Sequence, residues 1–335
     1  MAIALAVLLV RRFRALPHLR PLPRHGTVGA VLLIGAMFLN AMDVVIVEVF
    51  FTPLCWTGYI LWADGAIAAL RGRSLLRDNR RHFLLLTICS IPLWMIFEVY
   101  NLRLHNWIYA GLPSNSALRV IAFVWAFATI WPGVFTTATL LRAMDWNAQP
   151  EPAEEADPEP AEENEPWGAA PLPTPAHTAW NALSLASMAV GIVFFLVPVL
   201  LPQSVGIYLF GAVWLGPVLL LEPINMRLGH DSLWRAFSQQ GRRGDRSRLN
   251  ALLWAGAICG ILWEFWNHAA AARWVYTFPI FPEWRIFAMP VVGYLGFPVF
   301  ALDCFVMYAL IEPALRRGLD KLSATPAGSP TVLEL

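Results

Sequence analysis

The stretch Thr178–Leu221, TAWNALSLASMAVGIVFFLVPVLLPQSVGIYLFGAVWLGPVLLL, runs for 44 residues without an Asp, Glu, Lys or Arg. About 20 apolar residues cross a bilayer as a helix, so this stretch is too long for one crossing and long enough for two. Leu201-Pro202-Gln203 divides it, because proline lacks the N–H that would continue a helix. The pair therefore reads as spans at 178–201 and 204–224. Working outward, further spans fall at about 28–47, 50–70, 83–101, 116–141, 250–268 and 286–311. Of the 335 residues, 58% are hydrophobic and 14% charged, and the mean hydropathy is +0.55. An ordinary soluble domain carries about a quarter charged residues, so a water-soluble two-domain enzyme is excluded. The 16 tryptophans suit a protein anchored at two membrane interfaces.

The net charge of +1 conceals strong segregation. Arg71, Arg73, Arg77, Arg80 and Arg81 crowd one short loop, and Arg227, Arg235, Arg242, Arg243, Arg246 and Arg248 another. The intervening loops, 102–115 and 269–285, hold only Arg103, Arg273 and Arg285. Positive charge stays inside, which predicts both termini and both Arg-rich loops in the cytoplasm of a bacterial inner-membrane protein. Orientation accounts for the arginines, so nucleic acid is not an expected partner. Within the basic segment 1–26, Met1–Val10 is too short to span, and its arginines follow the apolar run. That order is opposite to a secretory signal, so the segment reads as an interfacial helix. Cys55, Cys89, Cys259 and Cys304 sit inside apolar runs without C-x-x-C spacing and read as small buried hydrophobes. Residues 143–177, with PEPAEEADPEPAEENEP at their centre, lack apolar periodicity and read as a disordered cytoplasmic linker. Residues 316–335 read as a cytoplasmic tail.

The linker separates two halves, 27–142 and 178–315, that resemble each other. Phe97-Glu98-Val99-Tyr100-Asn101 matches Trp263-Glu264-Phe265-Trp266-Asn267, and Trp107-Ile108-Tyr109 matches Trp274-Val275-Tyr276. Pro132 lies 34 residues after Glu98, as Pro298 does after Glu264. Asp64 precedes Ser74-Leu75 by ten residues, and Glu222 precedes Ser232-Leu233 by ten. Trp56-Thr57-Gly58 and Trp214-Leu215-Gly216 keep one relation to those acids. The expected fold is thus an all-α polytopic membrane bundle of about eight transmembrane helices in two parallel four-helix repeats, a plan known among transporters.

The matched polar residues are the candidate site. Glu98 with Asn101 and Glu264 with Asn267 are spaced i, i+3 and share a helix face. An acid at mid-membrane costs about 2.5–3.5 kcal/mol on insertion scales and normally faces the protein interior. Glu98, Glu264, Asp64 and Glu222 therefore point to a polar cavity between the halves. A carboxylic acid kept neutral in such a cavity can protonate an alkene or carbonyl. The same residues also suit capping, helix-to-helix hydrogen bonds, headgroup water or a proton relay. Trp107, Tyr109, Trp274 and Tyr276 read either as interfacial anchors or as an aromatic roof over a pocket. His268, i, i+4 from Glu264, adds a weaker binding candidate. No metal site is expected, because the histidines of the two halves are not equivalent. No phosphate-cradling, dinucleotide, nucleophile-elbow or H-E-x-x-H pattern occurs, and no cofactor is expected.

The segments ILWEFWN, RWVYTFP and MPVVGYLGFPVFALDCFVMY, with LRGRSLL and FEVYN…NWIYAGLP in the first half, resemble an uncharacterised family of bacterial multi-pass membrane proteins over most of residues 50–315. That family commonly has an acid before Met289-Pro290, where Ala288 stands here, and favours Glu where Asp303 stands. Spans three to four and seven to eight also resemble, more distantly, the heterodimeric type of lycopene cyclase domain. Its Pro-x-Glu-Glu signature is missing at Trp131-Pro132-Gly133 and Met289-Pro290-Val291. The resemblance implies a hydrophobic, isoprenoid- or lipid-like small molecule between the repeats and, for an enzyme, acid-assisted isomerisation or cyclisation. Glu98 and Glu264 would then be the catalytic proton donor and carbocation stabiliser, oriented by Asn101 and Asn267. Rival readings are a proton- or cation-coupled transporter using Asp64 or Glu222 with helices broken at Pro198, Pro217, Pro223, Pro290 and Pro298, and a non-catalytic subunit of a larger membrane complex. Membrane lipids are partners under every reading.

Overall fold

The computed structural model describes residues 20–144, 182–234, 246–277 and 279–322. The first 19 residues, the acidic linker from 145, part of the second Arg-rich loop and the tail beyond 322 lie outside the described residues. The readings of those segments are therefore not addressed by the structure.

The described residues are helical almost throughout. Helix α1 (Arg24–Ala41) turns at Met42–Val44 into α2 (Val45–Arg71). Asp43, with φ 54°, makes that turn, so the first expected boundary, near 47–50, lies several residues earlier. A single helical turn, Leu75–Asp78, leads to α3 (Arg80–Leu104). Strand β1 (Trp107–Ala110) follows. The expected span 116–141 is two helices, α4 (Ser116–Ala128) and α5 (Ile130–Ala143), joined at Thr129. Pro132 is the reason: it has no N–H for the Ala128 carbonyl and its ring crowds that turn. After the linker come α6 (Ala182–Leu200), α7 (Phe210–Leu228) and α8 (Arg246–Ala269). Strand β2 (Arg273–Tyr276) and the short hairpin β3 (Arg285–Ile286)–β4 (Met289–Pro290) precede a 3₁₀ turn, Val291–Leu295, and α9 (Gly296–Leu322). The last expected span, 286–311, thus begins as strand and becomes helix only from 291. Pro290 supplies no N–H, so the stretch starts extended instead of helical.

Among the described residues, seven helical stretches are long and apolar enough to cross a membrane: Val45–Arg71, Arg80–Leu104, Ser116–Ala143, Ala182–Leu200, Gln203–Leu228, Ser247–Ala269 and Val291–Gly318. Helix α1 falls short of that standard, carrying Arg24 and His25 within its 18 residues. Its burial is inverted relative to a water-soluble helix. Val31, Ile34 and Phe38 are each about two-thirds exposed, while Gly26, Gly29 and Ala36 are buried. Small residues at the helix contact and large apolar ones facing outward are the packing rule in lipid. Gly29 approaches the backbone of Gly58 and Trp62 so closely that a Cβ would overlap it. Gly191 of α6 approaches Gly216 and Leu220 of α7 in the same way.

Helix α8 lies at the centre, packed on α5 and α9 and touching α2. Tryptophan rings fill the middle: Trp56 lies 4.8 Å from Trp263 and 5.0 Å from Trp266 between ring centroids. The two halves also join through backbone. Strands β1 and β2 pair antiparallel with Trp107 opposite Tyr276, Ile108 opposite Val275 and Tyr109 opposite Trp274.

Candidate functional site

The site is built at the end of the bundle where β1 and β2 meet. Helix α3 ends at His105, in the left-handed region at φ 53°, and the chain turns straight into β1. Asn101, one turn before that end, holds the turn: its Oδ1 accepts from the Asn106 and Trp107 amides at 2.8 and 3.1 Å, and its Nδ2 donates to the Trp107 carbonyl at 2.9 Å. Asn267 does the same to β2, accepting from the Trp274 amide and donating to its carbonyl, both at 2.9 Å. These amides imitate a neighbouring strand, so each asparagine pins its strand to the helix before it. Orienting the glutamates, the role expected of them, is not what their hydrogen bonds do.

The glutamates meet the strands' alternate side chains. Glu98 Oε1 accepts from Tyr109 Oη at 2.5 Å and from Trp94 Nε1 at 2.9 Å. Glu264 Oε1 accepts from Tyr276 Oη at 2.7 Å and Trp274 Nε1 at 3.3 Å, and Trp274 Nε1 also donates to Tyr276 Oη at 2.8 Å. Glu264 Oε2 is buried without a hydrogen-bond partner. Burial, then the adjacent carboxylates, hold the Tyr109 and Tyr276 hydroxyls well above the usual tyrosine range. Both tyrosines are therefore fixed as proton-bearing donors.

In front of these networks is an apolar cavity of about 140 Å³ with residues of both halves in its wall. Trp107, Tyr109, Trp274 and Tyr276, read from the sequence either as interfacial anchors or as a pocket roof, all line it. The sequence reading missed the rest of the wall, which includes Trp94, Trp214, Trp263 and Phe300, Pro53 and Trp56 of α2, and one charged residue, Arg273. Trp56 and Trp214 were already paired by the repeat, which was the available signal. Phe50, non-helical within α2, marks the kink that Pro53 imposes one turn earlier. Thr52 Oγ1 and Trp56 Nε1, on wall residues one turn apart, are buried without a hydrogen-bond partner. Neither Glu98 nor Glu264 lines the cavity. Each stands behind the wall and reaches it only through its Tyr and Trp partners, which corrects the expected direct contact of these acids with a substrate.

A second cavity, about 310 Å³, lies between α7 and the 289–299 segment and shares Trp107, Trp214 and Tyr276 with the first.

The other expected site residues lie elsewhere. Asp64 and Glu222 are buried at the opposite end of the bundle, each facing the start of the segment that follows its helix. Asp64 accepts from Ser74 Oγ at 2.7 Å, the Leu76 amide at 3.1 Å and His25 Nε2 at 3.0 Å. Glu222 accepts from Ser232 Oγ at 2.8 Å and the Leu233 and Trp234 amides at 3.0 and 3.1 Å. Carboxylates so occupied act as caps, and neither touches the two cavities. Asp303 is fully buried, with neither oxygen hydrogen-bonded, and also lines neither cavity. His268 is exposed, its ring 5.6 Å from Phe287, because its place on α8 faces outward. The four cysteines are free and buried. Among the described residues no three His, Cys, Asp or Glu side chains gather in a metal-binding group.

Comparison of the chain with known protein families, with curated proteins and with solved structures found no match.

Proposed function

We propose that this is a bacterial inner-membrane protein that holds a hydrophobic, isoprenoid- or lipid-like small molecule between two duplicated four-helix units. The observation that carries the reading is the aromatic-walled apolar cavity to which both halves contribute. On the strand side the Tyr109, Trp274 and Tyr276 donors are already committed to Glu98 and Glu264, so these residues present ring faces; Arg273 is the one charged residue of the wall, and its apolar remainder favours an apolar guest. Thr52 Oγ1 and Trp56 Nε1 are buried donors without a partner, which suits a guest with a hydrogen-bond-accepting group.

The duplication accounts for features that otherwise coincide without reason. Exchanging the halves turns the Trp107–Tyr276 pair into Trp274–Tyr109 and leaves Ile108–Val275 in place, as a two-fold axis through that pair requires. The same exchange carries the Asn101 clamp onto the Asn267 clamp, the Asp64–Ser74 cap onto Glu222–Ser232, and the Gly29 contact onto Gly191. Under it α1 is the mate of α6 and counts as an eighth span, with both termini and the Arg-rich loops on the cytoplasmic side.

We assign Glu98 and Glu264 to positioning: they lock the Tyr and Trp rings that form the wall. The arrangement does not favour an acid-assisted isomerisation or cyclisation, because the Tyr109 and Tyr276 hydroxyl protons are committed to the carboxylates behind them.

Mass spectrometry of organic extracts from the purified protein tests the binding reading. A lipophile enriched over bulk membrane lipid is expected, and it should be lost from Ala126→Trp, which fills the cavity wall on α4. Extracts identical to bulk lipid in both proteins would overturn it.

A further inference from the structure

We infer that the guest is a long molecule occupying both cavities, with a hydrogen-bond-accepting end in the first and the remainder of its chain in the second; this rests on the cavity reading above. The first ground is correspondence. Pro53 and Trp56, on the wall of the first cavity, hold the same positions relative to Asp64 that Gly211 and Trp214, on the wall of the second, hold relative to Glu222. Phe123 and Ala126 of α4 likewise stand relative to Glu98 as Met289 and Val292 stand relative to Glu264. The two cavities are therefore two-fold mates, one per half, meeting at Trp107, Trp214 and Tyr276 beneath the paired strands.

The second ground is size. The first cavity holds about 140 Å³ and its mate about 310 Å³, against roughly 300–1,000 Å³ for ordinary ligand pockets, so the pair has room for a longer guest than the first cavity admits.

The third ground is polarity. The mate of Thr52 is Phe210, so the unpartnered hydroxyl of the first cavity has a hydrocarbon counterpart in the second. Trp56 Nε1, 1% exposed as a residue and also unpartnered, adds a second donor on the Thr52 side. One end of the pair thus offers two donors, while the other offers a single unpartnered acceptor, Asn106 Oδ1, in a wall that is otherwise mostly apolar. The second cavity faces the lipid: Leu215 and Leu295 on its wall are 40% and 74% exposed. A molecule dissolved in the bilayer enters there.

The test uses the full-length protein in nanodiscs and a ladder of primary alcohols of rising chain length, each carrying a diazirine at the end remote from the hydroxyl. After irradiation, labelled peptides are mapped. With the hydroxyl held by Thr52 and Trp56, short alcohols are expected to label the Ala122–Phe127 stretch. Long ones should shift the label to Met289–Val299. Gly211→Phe, at a position where a Cβ meets open space, should cut long-chain labelling of Met289–Val299 by about tenfold, the effect of roughly 1.4 kcal/mol. Short-chain labelling near Phe123 reports that the variant is folded. A label that stays in place at every chain length, or that divides equally between the cavities for short alcohols, overturns this inference and leaves the cavity reading standing. No labelling of either stretch above the lipid-facing helices overturns both.

Discussion

Asn101 and Asn267 each stand one helical turn beyond a glutamate, yet their side chains turn toward the strands and grip the backbone of Trp107 and Trp274. Removing either amide leaves a buried N–H and C=O unpaired, at about 1–3 kcal/mol per group. Asn267→Ala should therefore lower unfolding stability in mixed micelles by that order, and Asn267→Asp by at least as much, since it buries a carboxylate with one oxygen against the Trp274 carbonyl. The glutamates act through their partners. Glu264→Gln and Tyr276→Phe should be non-additive in a double-mutant cycle, with a coupling of about 0.5–3 kcal/mol; independent effects would refute a positioning role. Tyr276 also predicts an alkaline response. Its hydroxyl is held above the usual range by burial and by Glu264, so the folded state retains a proton that the unfolded chain releases near pH 10. That contribution is whole below about pH 10 and is lost as the pH rises past it. Tyr276→Phe should flatten the loss, read as unfolding stability against pH from 8 upward.

Helices α1 and α2, and α6 and α7, meet through glycines whose missing Cβ is what permits the contact. Gly29→Val should separate α1 from α2 at a cost of about 1–3 kcal/mol, as overpacking does. Gly35→Ala, on the same helix with nothing near its added methyl, should be neutral or stabilise by up to about 1 kcal/mol. Thermal denaturation of both variants checks the pair. At this scale hydropathy located the spans, because a bilayer imposes length and apolarity on each helix alone. It missed the turn at Asp43, the break at Thr129 and the strand at 286–290, which depend on local backbone chemistry inside runs that remain apolar. It also missed the Gly29 contact, since glycine in an apolar run carries no periodic signal.

Across the whole molecule, the paired acids and asparagines were visible in the sequence because polar residues recur in register within hydrocarbon. Which way they point was not, for spacing gives the face of a helix and not what that face meets. Glu98 and Glu264 thus read as direct ligands although the tyrosines stand in front of them, and the wall tryptophans read as anchors or a pocket roof at Trp107 and Trp274 and went unnoticed at Trp94 and Trp263. Orientation is testable because the four native cysteines are buried. Arg73→Cys and Ser114→Cys, both exposed positions, should react with an impermeant maleimide from opposite faces of the membrane, Arg73→Cys from the cytoplasmic one. The antiparallel pairing of β1 with β2 carries a last consequence. Its register, Trp107 with Tyr276 and Tyr109 with Trp274, is the one that two copies of a single half-length chain would adopt across an isologous dimer seam. Covalent continuity is then dispensable: polypeptides 1–150 and 176–335, produced separately in one cell, should find each other and be isolated as a stoichiometric heterodimer.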